Sequence, residues 1–240
     1  MATNDTKEQI PNNQISPGGT DGIEVKFYTD PLCCWTWAMQ PQWDQFLAIV
    51  DRPIKVTYKM GGLLPSWKHY HDALNSITKP IQMGPEWTHA KAVGGVPIND
   101  RIWLIDPPES SFPACIAVKA VELQSEDAAA KYFFLLQEAV MVQGLNIART
   151  PVLITLADRL AGSYPHFDPF LFRNDLFGER ARQEFSNDLQ ETRYFNISRF
   201  PTLLIKIPGT PPFLLNGFQT RDSLQAAFSI NTKGFDLRSK

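Results

Sequence analysis

The chain has 240 residues, 43% of them hydrophobic and 20% charged, with a formal net charge of -2. That length fits one large domain or a compact domain carrying an insertion, and the absence of a basic run excludes the electrostatic footprint of a nucleic-acid binder. No apolar stretch approaches the roughly 20 residues that span a bilayer, the polar start lacks an apolar signal core, and three cysteines make a poor disulfide framework, so a reducing, cytoplasmic setting is expected.

Residues 1–22 are rich in Asn, Gln, Thr, Pro and Gly and read as a disordered tail. An apolar strand is predicted over Ile23 to Thr29, followed by a turn at Asp30-Pro31 and a helix from about Cys34 to Val50. Pro41 is expected to kink that helix, because an interior proline removes a backbone bond. A second strand is predicted over Ile54 to Met60, closed by Gly61-Gly62. Leu63 to Asp106 mixes prolines and glycines with Trp67, Trp87 and Trp103, and is read as a long loop with one or two short helices. Those tryptophans either anchor the loop to the core or wall a cleft near Cys33.

From Pro113 the pattern is helical, with Ser110-Ser111 as caps. Further helices are predicted over Asp127 to Val142, from Thr150-Pro151 onward, and from Asp168 to Phe195 as one long charged helix. Strands return at Thr202 to Ile207 and Pro212 to Leu215, and a helix over Thr220 to Phe228 closes the chain. The order strand-helix-strand, helical block, strand-strand-helix predicts an α/β fold: a small mixed sheet interrupted by a helical insertion. The boundaries read from it are residues 23–64 and 196–240 for the sheet-bearing domain and 65–195 for the insertion.

Cys33 is the first candidate for chemistry. It follows a strand and Asp-Pro and stands at a helix start, where unpaired N–H groups and the helix dipole favour a thiolate. A lone cysteine is otherwise a small buried hydrophobe. Asp30 either influences that thiol or only forms the turn. The four histidines and the adjacent cysteines lack metal-site spacing, so no metal is expected. Gly61-Gly62 and Gly94-Gly95 lack the lysine and spacing of phosphate loops.

The stretch Asp30-Pro31-Leu32-Cys33-Cys34-Trp35-Thr36-Trp37 resembles the D-P-L-C-P-W-C-W of the DsbA-type branch of the thioredoxin superfamily. Its cytosolic members include predicted dithiol-disulfide isomerases and Clp-protease adaptor relatives. Met60 to Pro65, Pro107 to Cys115, Asn146-Ile147 and Phe200-Pro201-Thr202-Leu203 extend the likeness over nearly everything after the tail. The resemblance implies a thioredoxin-like fold with an all-helical insertion, Cys33 as nucleophile and Pro201 as a cis-proline. It also implies a substrate-binding edge at Trp35, Phe200 and Thr202, where an extended peptide would pair.

Two positions depart from the family pattern. Cys34 replaces the proline and Thr36 replaces the resolving cysteine. A Cys33–Cys34 bridge is unfavourable, because adjacent Cα atoms stand about 3.8 Å apart, below the roughly 4.4 Å of ordinary disulfides. Thr36 retains the ability to donate a hydrogen bond to a Cys33 thiolate. The expected function is therefore a thiol-disulfide oxidoreductase or isomerase of monothiol character, acting on protein thiols or extended peptide segments. It needs no resident cofactor, and glutathione is a candidate co-substrate. The alternatives are a non-catalytic peptide-binding or protease-adaptor protein, and a glutathione-dependent small-molecule isomerase. Cys115 is either a buried helix cysteine or a second thiol facing the cleft.

Overall fold

The computed structural model describes residues 22–70 and 76–231. Apart from Gly22, the tail expected over 1–22 lies outside the described residues, as does His71. Strand β1 (Ile23–Thr29) is followed by helix α1 (Cys34–Leu47) and strand β2 (Ile54–Met60). β1 and β2 run parallel, with Ile23 opposite Ile54 and Thr29 opposite Met60, which requires the α1 crossover between them. α1 continues through Pro41 to Leu47 and stops three residues before the expected end.

The segment expected to be mainly loop holds more regular structure than its prolines suggest. A 3-10 turn at Pro80–Gln82 leads into α2 (Met83–Gly94), and the single turn α3 (Ile102–Ile105) follows. Pro80 and Pro85 sit at helix starts, where a missing N–H costs nothing. α2 packs tightly on α1: a Cβ at Gly94 would come within 2.7 Å of the Ala38 Cβ.

Among the described residues five further helices precede the return to the sheet: α4 (Phe112–Glu122), α5 (Glu126–Met141), α6 (Thr150–Ser163), α7 (Pro169–Phe177) and α8 (Glu179–Tyr194). The long helix expected from Asp168 to Phe195 is two helices, with α8 spanning Glu179–Tyr194. Gly178 separates them, extended at φ -81 and ψ 169. Its flexibility makes the interior of a helix costly, and α7 closes through its N–H to the Asp175 carbonyl. Asp168 caps the start of α7, accepting from the N–H groups of Phe170 and Leu171.

Strands β3 (Thr202–Lys206) and β4 (Phe213–Asn216) and helix α9 (Arg221–Asn231) complete the order. The sheet runs β2-β1-β3-β4, with β3 antiparallel to both neighbours. Ile23, Val25, Phe27, Leu203 and Ile205 pack with Trp43 and Phe46 of α1 and with Leu224 and Phe228 of α9 as one apolar cluster. A second cluster joins the insertion helices to Cys34, Ala38 and Met60.

A buried ionic network holds α4 and α8 to the sheet. Lys119 Nζ lies 2.9 Å from Asp188 Oδ2 and 2.6 Å from Glu122. Asp188 also accepts from Lys59 Nζ and the Met60 N–H, each at 2.9 Å. Glu191 accepts from Lys26 and from the Tyr28 hydroxyl.

Candidate functional site

The register brings three chain segments to one end of the sheet. Thr29 ends β1, Gly61 donates its N–H to the Thr29 carbonyl at 2.7 Å, and Thr202 pairs with Tyr28. The strand ends of β1 and β2 therefore meet the Phe200-Pro201 loop, the kind of edge where α/β sheets bind ligands.

Asp30 builds the turn that delivers Cys33. Its Oδ1 accepts from the Leu32 N–H at 2.8 Å, and its carbonyl accepts from the Cys33 N–H at 2.9 Å. Its Oδ2 accepts from the Leu63 N–H at 2.6 Å, the Ser111 hydroxyl at 2.7 Å and the Cys115 thiol at 3.3 Å. Burial pushes the carboxyl up, against the pull of those donors. Asp30 is thus both a turn former and a buried hub. Ser111 serves that hub, and the capping of α4 passes to Ser110, whose Oγ accepts from the Phe112 N–H.

Cys33 occupies the N-cap of α1, with extended backbone and 4% exposure. The expectation of a stabilised thiolate is corrected here. Burial pushes the thiol up to about 11, outweighing the Thr36 hydroxyl and the Thr36 and Trp35 N–H groups that pull it down, and Asp30 adds to the rise. At rest Cys33 is a protonated thiol. Cys34 begins α1, and burial, then the neighbouring Cys33 and Glu86, hold its thiol well above the ordinary range. Cys33, Cys34 and Cys115 are all free thiols.

Thr36 lies on the buried side of this turn. Its Oγ1 is 2.7 Å from the Thr29 Oγ1, and both side chains are sealed from solvent. Gln137 of α5 donates its amide to the Cys33 carbonyl at 3.3 Å, tying the insertion to the cysteine turn.

The cysteines open onto a cleft of about 980 Å³. One wall comes from α2, with Met83, Glu86, Trp87 and His89; the other comes from the end of α8 and the segment running to Phe200, with Arg193 and Arg199. Trp35 spans the space at the cysteine turn: its indole N–H donates to Glu86 at 2.5 Å, and its ring meets His89 and Phe218 edge-on. Of the three insertion tryptophans, Trp87 lines the cleft, while Trp87, Trp103 and Trp67 form a chain of T-shaped contacts. Anchoring and walling are therefore done by the same cluster.

The Phe200–Pro201 peptide bond is cis. The Phe200 ring lies over Gly61, where a Cβ would fall 2.0 Å from the Phe200 Cζ. Phe200 lines the cleft, whereas Thr202 is buried, its hydroxyl 2.7 Å from the Arg199 carbonyl and 3.0 Å from Asn216. Thr202 thus secures the loop instead of facing a ligand, which corrects its expected place on the binding edge. Cys115 is fully buried against Asp30 and does not line the cleft. Thr29, Glu86, Gln137, Arg193 and Arg199 were absent from the sequence-derived site. Thr29 and Arg199 adjoin the sequence motifs in the chain without belonging to them, whereas Glu86, Gln137 and Arg193 reach the cysteine turn or its cleft only through the fold. Among the described residues no group of side chains is arranged to hold a metal ion, and no helix is long and apolar enough to cross a membrane.

A strand–helix–strand unit with a cysteine at the helix start beside a cis-proline loop, carrying a helical insertion, defines the DsbA type of thioredoxin fold. The family model described as Thioredoxin matches residues 27–206, and the chain belongs to that family. Among curated proteins it is similar to the ClpXP adapter protein SpxH of Halalkalibacterium halodurans, 25% identical over 201 residues, which are 80% of this chain and 64% of that protein. The chain thus spans just under two thirds of that relative's length. Among solved structures, a candidate protein disulfide isomerase from Nitrosomonas europaea aligns with a TM-score of 0.68 at 22% identity, over 87% of this chain and 97% of its own. The cytosolic disulfide reductase DsbM from Pseudomonas aeruginosa aligns at 0.63 and 22%, over 86% and 97%, and has also been solved with GSH.

Proposed function

We propose that this chain is a monothiol thiol-disulfide exchange protein, with Cys33 as its only exchanging sulfur. The observation that carries this reading is the composition of the cysteine turn: Cys33 opens on the cleft beside Phe200, and Thr36 occupies the place of a resolving thiol. In the first step the Cys33 thiolate attacks a disulfide R–S–S–R′, forming Cys33–S–S–R and releasing R′–S⁻, which takes up the proton that Cys33 lost. In the second step a thiol R″–SH attacks as its thiolate, giving R–S–S–R″ and returning Cys33 to its thiol. Glutathione or a protein cysteine supplies R″–SH. The setting is a reducing, cytoplasmic one.

The high resting value of Cys33 gives this chemistry its character. A thiol that holds its proton to about 11 is a strong nucleophile once ionised and a poor leaving group. Such a sulfur suits reduction and retention of mixed disulfides more than oxidation of substrates. Insulin reduction with glutathione as co-substrate tests the reading, comparing the wild type with Cys33→Ser and Cys34→Ser. Turnover lost in Cys33→Ser and kept in Cys34→Ser supports it; equal, negligible rates in all three defeat it.

A second reading has its own support. The SpxH relatives are named as ClpXP adapters, and an open cleft of about 980 Å³ lined by Phe200 and Trp35 suits a protein that holds a partner segment without turning it over. On that reading the cleft binds an extended segment, and Cys33→Ser leaves partner affinity intact.

A further inference from the structure

The two walls of the cleft differ in charge. Among the described residues, α2 contributes one carboxylate to the lining, Glu86, and it already accepts the Trp35 indole N–H. On the opposite side stand Arg193 and Arg199, both exposed. Among the described residues, neither guanidinium has a carboxylate partner. Among the described residues, and leaving its histidines aside, the cleft therefore carries more positive than negative charge, on a chain whose formal net charge is -2. A surface of opposite sign to the rest of the molecule, set around a reactive atom, is a selectivity device more than a solubility one.

Arg199 is also held near the chemistry. Its Cδ lies within 3.7 Å of where a Cβ on Gly217 would be, and the Gly217 N–H donates to the Pro201 carbonyl at 2.7 Å. Phe218, next in the chain, touches the Trp35 ring. Arg199 thus belongs to the same small assembly as the Phe200-Pro201 loop and the cysteine turn. Its planar guanidinium, like that of Arg193, offers paired donors that match a carboxylate.

We propose that Arg193 and Arg199 form an anion-binding end of the cleft and select, for exchange with Cys33, partners that carry a carboxylate near the reacting sulfur. The inference rests on the exchange reading of Cys33 and adds the class of substrate. The carboxylate is that of a small peptide thiol or of an acidic side chain in a protein segment.

The test compares wild type with Arg193→Gln/Arg199→Gln, measuring rates of mixed-disulfide formation with an anionic aromatic disulfide, neutral hydroxyethyl disulfide and cationic cystamine. Taking each variant-to-wild-type ratio cancels the intrinsic reactivity of the probe. Removing two charges at contact distance in water is worth roughly tenfold. The expected result is about that loss with the anionic probe, no change with the neutral one and a gain with cystamine, each effect shrinking with added salt. The same ratio for all three charges overturns the proposal.

Binding of S-methylglutathione, which has no exchangeable sulfur, reads the arginines apart from the thiol. Weakening of roughly tenfold in the double variant supports the anion site even where no probe reacts with Cys33, an outcome that would defeat the exchange reading alone. Unchanged binding of S-methylglutathione, together with unchanged binding of a C-terminally amidated peptide bearing internal glutamates, overturns it. A loss confined to one ligand identifies the carboxylate source.

Discussion

The hydroxyl oxygens of Thr29 and Thr36 stand 2.7 Å apart in a space closed to solvent, and Thr36 also reaches the Cys33 sulfur. One hydroxyl of such a pair donates to the other, so Thr29 sets which way the Thr36 proton points. With Thr29 as donor, the Thr36 proton is free for the sulfur. Hydrogen bonds to charged groups are worth about 1.5–3 kcal/mol. Thr36→Val is expected to slow alkylation of Cys33 by at least roughly tenfold at fixed pH. Thr36→Ser should retain the rate and Thr29→Val should fall between. Iodoacetamide kinetics followed by peptide mass mapping read all three.

The titration of Cys33 gives a pH dependence with a definite sign. Burial raises the folded thiol from its ordinary 9.0 to about 11. The neutral thiol therefore favours the folded state fully below the unfolded value, and that contribution is lost as pH rises through about 11. Alkylation should climb through pH 9 to 11 without a plateau near neutrality. Asp30→Asn removes a charge that adds to the rise, so its alkylation profile should move to lower pH. An unmoved profile would contradict the electrostatic link between Asp30 and Cys33.

Gly61 is required by the Phe200 ring, not by its own backbone angles. A methyl group there would overlap the ring at 2.0 Å from its Cζ. Gly61→Ala is expected to displace Phe200 and cost about 1–3 kcal/mol, the usual range for overpacking. Urea unfolding measures the loss. Exchange activity should fall beyond what reduced stability explains, because Phe200 forms part of the cleft.

The Lys119–Asp188 pair predicts a larger effect on stability. Both residues are 1% exposed, and Asp188 also serves Lys59 and the Met60 N–H. Removing Asp188 leaves the buried Lys119 with Glu122 alone and the Met60 N–H without its acceptor, so Asp188→Ala is expected to lose about 3 kcal/mol, the low end for breaking a buried pair. Combining Lys119→Met with Asp188→Ala should destabilise less than the sum of the two single changes, a coupling that a double-mutant cycle detects.

Much of the fold was legible in the sequence because its cues are local. The strands at Ile23–Thr29 and Ile54–Met60 match their expected bounds, and the order of strands around a helical block carries through. Gly178 broke an expected single helix, since a lone glycine within a helical pattern signals a break only when its neighbours favour one. The site divides the same way. Cys33, Thr36 and Phe200 lie in short motifs, whereas Thr29 meets Thr36 seven residues on, Gln137 reaches Cys33 from 104 residues away, and Arg193 arrives with α8. The high resting value of the Cys33 thiol comes first from its burial, which no local motif displays, and helix-start position alone points the other way.

Intact-mass analysis and peptide mapping after reaction with glutathione disulfide at mildly alkaline pH test the monothiol account most directly. The account predicts one glutathione per chain, on Cys33, persisting until free thiol is added, and its replacement by an intramolecular disulfide in Thr36→Cys. A bridge between Cys33 and either Cys34 or Cys115 in the wild-type chain, or an adduct on Cys34 with Cys33 untouched, would contradict it.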